Sequence, residues 1–109
     1  MIQAKLSPKA ERDLDEHCSY IATENPEAAE RVRQTILHTA DFLAQHPEVG
    51  RRIRNVTSRH AQIRWFIVPK FRNYLIFYQP FQGTIMVVRV LHAAQDWTRH
   101  FPISQAPPA

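Results

Sequence analysis

Two proline-led helix entries constrain this chain more than any other feature. Ser7-Pro8 and Asn25-Pro26 each place a side chain that can accept from a free helical N–H directly before a proline, whose missing N–H costs nothing in a first turn. After the first entry, Ala10, Leu14, Cys18 and Ile21 recur at helical spacing. Glu11, Asp13, Asp15 and Glu16 occupy other faces near the positive end of the dipole. After the second, Ala29, Val32, Ile36, Ala40 and Leu43 form the apolar stripe, and Glu27 and Arg31 stand at i, i+4 for an ion pair. His46-Pro47 ends the run and Gly50 adds a turn signal. The pattern predicts two antiparallel amphipathic helices that need an apolar surface to cover.

The remainder supplies that surface. Ile2, Ala4 and Leu6 alternate with polar residues as a short first strand would. Gln62 to Val68, Asn73 to Gln79 and Thr84 to Leu91 are rich in β-branched and aromatic residues; Pro80 to Gly83 reads as the turn between the last two, and Ile53 to Val56 as a further short strand. Alternation puts Arg89 on one face with Ile85, Val87 and Leu91, opposite Met86, Val88 and Val90. With both faces apolar, this last strand is expected to be central.

The expected fold is α+β: an N-terminal strand, an antiparallel helical hairpin, then a three- to four-stranded antiparallel sheet and a short C-terminal helix or tail. The helices cover one face of the sheet and leave the other available. At 109 residues there is room for one core, expected over 1–101, with a flexible C-terminal tail at 102–109 that holds three prolines.

Charge is unevenly spread. Residues 1–50 carry nine acidic and five basic side chains, whereas 51–95 carry eight basic and no acidic ones. Such segregation predicts an electropositive face suited to a polyanion or an acidic protein segment. Arg51, Arg54, Arg64 and Arg72, with Tyr78, are the candidate contacts. A functional role stays open for Arg64, since alternation puts it on the face of its strand opposite its neighbours Ile63 and Trp65.

Other chemistries are disfavoured. A single cysteine, Cys18, permits no internal disulfide and sits on an apolar stripe as a small hydrophobe. The six histidines show no metal-ligand spacing, so neither a metal nor a cofactor is expected. No secretory layout or membrane-length apolar run is present, which points to the cytoplasm and away from a membrane.

Several ordered blocks resemble the RelE/ParE toxin superfamily over about residues 2 to 97: LSPKAERDLDEHCSYIA from Leu6, NPEAAERV from Asn25, HPEVGR from His46, and YLIFYQPFQGTIMVVRVLHAAQDW from Tyr74. The resemblance is nearest to the ParE-like branch. It implies a toxin kept harmless by a cognate antitoxin whose acidic segment wraps the basic sheet. It also implies DNA gyrase as the target and no catalytic residues. The alternative within the superfamily is a metal-free, ribosome-dependent mRNA endonuclease with the ribosome and mRNA as partners. That chemistry needs a base, an acid and fixed cations; Arg64, Arg89 and His92 are its candidates, and His60 is a second choice of proton carrier. For His92 a hydrogen-bonding role is favoured, and for Arg89 an ion pair with Asp96 or the acidic N-terminal half. The chain departs from the family's wording at Ala93, Ala94 and Gln95, and in the loop Val68 to Tyr74.

Overall fold

A computed structural model describes residues 3–53 and 62–95. In chain order the elements are β1 (Lys5–Leu6), α1 (Pro8–Ala22), α2 (Pro26–Gln45), β2 (Arg51–Arg52), β3 (Arg64–Ile67), β4 (Tyr74–Phe81) and β5 (Thr84–His92). Both helix entries form as their caps dictate. Ser7 Oγ accepts from Ala10 N–H at 3.0 Å and Asn25 Oδ1 from Ala28 N–H at 3.0 Å, each followed by proline in the first turn.

The strands lie in the order β1-β5-β4-β3-β2. β2 to β5 are antiparallel, while β1 joins β5 in parallel, so the sheet is mixed. From β1 the chain passes through α1 and α2 to the far edge of the sheet and re-enters as β2, and the antiparallel run from β2 to β5 then returns to bring the last strand beside the first. Residues 54–56, expected to extend a short strand, lie outside the described residues; the strand found there is Arg51–Arg52, continued by Ile53 N–H donating to Ile63 C=O at 3.1 Å.

The β4–β5 turn is tighter than the sequence suggests. Pro80 and Phe81 remain in β4, and the turn is Gln82-Gly83, both at positive φ (46° and 79°), as a two-residue hairpin requires. Pro80 is tolerated because its nitrogen faces the β3 side at a level that lies before β3 begins at Arg64.

A bulge in β5 corrects the simple alternation. Phe77 stands opposite Arg89 and Tyr78 opposite Val87, so Val88 is an extra residue. The helix-side core therefore takes Ile85, Val87 and Val90, together with Ala10, Leu14, Cys18, Val32, Ile36 and Leu43. Leu91 falls on the opposite face with Ile53, Ile63 and Phe77 in a second buried cluster. Cys18 is buried in the first core, and that burial pushes its thiol pKa up. The turn after β5 covers Ala93 to Gln95. The expected final helix beyond it and the tail at 102–109 lie outside the described residues.

Candidate functional site

The two ends of the sheet treat their arginines differently. At the β5 end, Arg89 donates from Nε to Asp13 Oδ2 at 2.7 Å and from Nη2 to Oδ1 at 2.8 Å, a two-point ion pair. Asp13 is 8% exposed and also accepts from Val90 N–H at 3.0 Å. The carboxylate beside it raises the Arg89 pKa. Asp13 is thus a partner on α1 itself; Asp96, the other acid considered, lies outside the described residues. One turn later His17 Nε2 donates to Val90 C=O at 2.9 Å. Asp13 and His17 share a face because they are four residues apart.

At the β2 end the basic side chains stay at the surface. Arg51 and Arg52 are exposed on β2, Arg72 is exposed in the β3–β4 loop, and Lys70 is exposed beside it. Arg64 is half-buried and donates from Nη1 to Gly50 C=O at 2.7 Å and to Glu48 C=O at 3.3 Å. It stands opposite Arg52 on one side and Tyr78 on the other. Arg54 and His60 lie outside the described residues.

Tyr78 corrects the expectation of a surface contact. It is 1% exposed, and its hydroxyl accepts from Gly50 N–H at 2.9 Å while donating to Pro47 C=O at 2.8 Å. A Cβ at position 50 would collide with that hydroxyl and ring, so glycine is required there by close approach. Burial pushes the Tyr78 pKa up, opposed by the Gly50 bond and the Arg64 charge. Tyr78 and Arg64 together pin the 47–50 segment, which fixes where β2 begins. The sequence contained the signal in HPEVGR, where the glycine precedes the two arginines.

His92 is half-buried at the end of β5. Its Nδ1 accepts from Ala94 N–H at 3.1 Å and its ring meets Tyr74 edge-on at 5.2 Å; His17 meets the other side of Tyr74 at 5.0 Å. An Nδ1 used as acceptor leaves the proton of the neutral ring on Nε2. Of the other strand aromatics, Phe77 is buried, while Tyr74, Phe66 and Trp65 are half-buried. The helix-surface pair expected between Glu27 and Arg31 does not close; instead Arg33 reaches across to Asp15 on α1 at 3.0 Å. Among the described residues there is no cluster of three or more potential metal ligands and no helix long and apolar enough to cross a membrane.

Comparison with known proteins places these features in a family. Residues 4–97 match the family model described as ParE toxin of type II toxin-antitoxin system, parDE. Toxin RelE2 of Caulobacter vibrioides is 34% identical over 95 residues, covering 87% of this chain and 99% of the relative. Toxin RelE3 of the same organism is 27% identical, covering 87% of this chain and 98% of the relative. Among solved structures, the chromosomal ParDE toxin-antitoxin system from P. aeruginosa superposes with a TM-score of 0.67 at 20% identity, covering 84% of this chain and 96% of that one, a likeness of fold.

Proposed function

This chain belongs to the ParE toxin family of type II toxin-antitoxin systems, and on that premise we propose that it poisons DNA gyrase in the cytoplasm. Membership implies a cognate antitoxin as partner. The toxin acts by binding: it engages gyrase and traps the enzyme with its DNA cleaved, and the antitoxin prevents this by covering the basic end of the sheet.

The observation that carries this reading is the fate of the three residues a ribonuclease would use. Arg89 is held two-point by Asp13, Arg64 is spent on the carbonyls of Gly50 and Glu48, and His92 Nδ1 accepts a backbone N–H. Those side chains serve the fold, which suits a protein that works through its surface. Arg51, Arg52 and Arg72 stay exposed and offer positive charge to an acidic partner. An acidic antitoxin segment that orders on binding would cover them, and its affinity would fall as salt rises.

A second reading is favoured by the relatives named RelE2 and RelE3: cleavage of mRNA on the ribosome. One experiment separates the two. Purified protein is mixed with gyrase, supercoiled plasmid and ATP, with and without antitoxin. Protein-linked linear DNA that the antitoxin suppresses supports the gyrase reading. Its absence at concentrations that arrest growth sinks that reading and moves the search to ribosome-dependent mRNA cleavage.

A further inference from the structure

A cation can serve a partner only if its own chain has not already engaged it, and that condition sorts the Lys and Arg side chains of the described residues. Arg89 is held by Asp13, Arg33 by Asp15 at 3.0 Å, and Arg64 by the carbonyls of Gly50 and Glu48. Lys5 lies 5.8 Å over the ring of Phe81. Two exposed groups remain. Lys9, Arg12 and Arg31 stand on the helical hairpin, whereas Arg51, Arg52, Lys70 and Arg72 stand at the side of the sheet away from β1. None of these seven forms an ion pair with a described residue.

Their surroundings differ in sign. The hairpin cations share residues 1–50 with nine acids, whereas residues 51–95 hold eight basic side chains and no acid. A polyanion is therefore repelled from the hairpin and drawn to the sheet end. The four cations there are also spread out. Arg51 pairs with Trp65 and shares the helix-free face with Trp65 and Phe77, while Arg52 pairs with Arg64 and shares the helix side with Tyr78. As neighbours in one strand, the two straddle the edge. Lys70 and Arg72 follow in the loop after β3, whose first residue, Val68, lies about 10 Å along the strand direction from Trp65. Duplex DNA carries one charge for about every 1.7 Å of its axis, so cations spaced in this way each find a phosphate. Three of the four are arginines, whose planar fork matches two phosphate oxygens. They lie on a strand and a loop, not on a helix that could enter a groove, so they reach the backbone and not the base edges.

We propose that Arg51, Arg52, Lys70 and Arg72 form a phosphate-binding surface that holds duplex DNA without regard to its sequence. The inference deepens the gyrase reading and rests on it for the origin of the DNA: the toxin grips the duplex that gyrase has cleaved as well as the enzyme. An antitoxin segment laid over the same arginines excludes the duplex.

The test titrates a short fluorescein-labelled DNA duplex with the full chain over a series of salt concentrations, followed by anisotropy. One variant combines Arg51→Ala, Arg52→Ala and Arg72→Ala. A second combines Lys9→Ala, Arg12→Ala and Arg31→Ala, which removes the same charge from the hairpin. All six side chains are exposed, so both variants should unfold at the wild-type temperature. The expected result is saturable binding by the wild type, with a slope of log affinity against log salt that falls by about 0.9 for each sheet-end arginine removed. The hairpin variant keeps the wild-type slope. No binding by the wild type, or equal weakening in the two variants, overturns the proposal, the latter because net charge alone then attracts the DNA. Displacement of the duplex by polyglutamate at a lower concentration of charge also overturns it, by showing a surface made for an acidic polypeptide. The linear product of the gyrase assay decides the gyrase reading separately. If that product is absent while duplex binding keeps its dependence on the sheet-end arginines, the gyrase reading falls and the phosphate-binding surface stands.

Discussion

Both edges of the sheet end in a strand of two residues, β1 at one side and β2 at the other, yet they have opposite characters. Beside β1 the sheet is finished by α1, whose Ser7, Asp13 and His17 meet the backbone of β5, and Arg89 is drawn into the same network. Beside β2 nothing equivalent lies on the sheet among the described residues, and Arg51 and Arg52 are exposed. Arg89, which meets an acid from another element, becomes structure; Arg51, Arg52 and Arg72, which stay exposed, remain available to a partner. Since every acid of residues 1–95 lies before residue 50, distance from the helical hairpin sets that division.

The largest effect is expected from breaking the closed edge. Asp13→Ala takes the two-point carboxylate from the largely buried Arg89 guanidinium and the acceptor from the Val90 N–H, and should cost about 3–5 kcal/mol, read as a lowered urea midpoint with unchanged slope. Arg89→Met in the same background should recover part of the loss, because the charge that has lost its carboxylate is then gone. A loss below about 1 kcal/mol would mean that the pair contributes no more than an exposed one.

Next come the residues that anchor the start of β2. Tyr78→Phe leaves the buried Gly50 N–H without its acceptor and should cost about 1–3 kcal/mol. Gly50→Ala should cost a similar amount by forcing the ring of Tyr78 aside. If β2 is held only by its pairing with β3, both variants will unfold like the wild type.

Alkaline pH gives a smaller, graded test of the same anchor. The Tyr78 pKa is raised by burial, so the neutral phenol is favoured in the folded chain. Its stabilising contribution is complete below about pH 10, where an unfolded tyrosine ionises, and is lost as pH rises from there towards the raised folded value. Stability should fall in that window, and the fall should be shallower in Tyr78→Phe; Tyr74, also raised by burial, supplies the remainder.

The smallest change in stability belongs to the open end. Arg72→Ala should stay within about 0.5 kcal/mol of the wild type while weakening antitoxin or target binding and flattening its salt dependence. Arg64→Ala should weaken binding too, but with a measurable drop in stability, because its guanidinium holds the Gly50 carbonyl. Equal affinity with a lowered melting temperature would reduce Arg64 to a structural role.

The helical hairpin was legible because its signals are local: a cap, a proline and an apolar stripe each act within one or two turns. Strand identity was legible for the same reason, through runs of β-branched and aromatic residues. The β4–β5 turn was misjudged by two residues, since a proline at an outward-facing edge position looks like a turn until the length of its neighbouring strand is known. Likewise, the alternation that grouped Arg89 and Leu91 with Ile85 and Val87 failed at Val88, because one extra residue in β5 shifts every later side chain to the other face.

Sequence by itself determined the helices, the strand-forming segments, the charge segregation and the family resemblance, all set by composition and short-range spacing. Tertiary structure alone decided which charged groups are free. Asp13 and Arg89 are 76 residues apart in the chain and Tyr78 is 28 from Gly50, and no local pattern encodes such meetings. Only the packing of α1 along β5, and of the 47–50 segment over Tyr78, brings a donor to its acceptor and turns a candidate binding residue into part of the core.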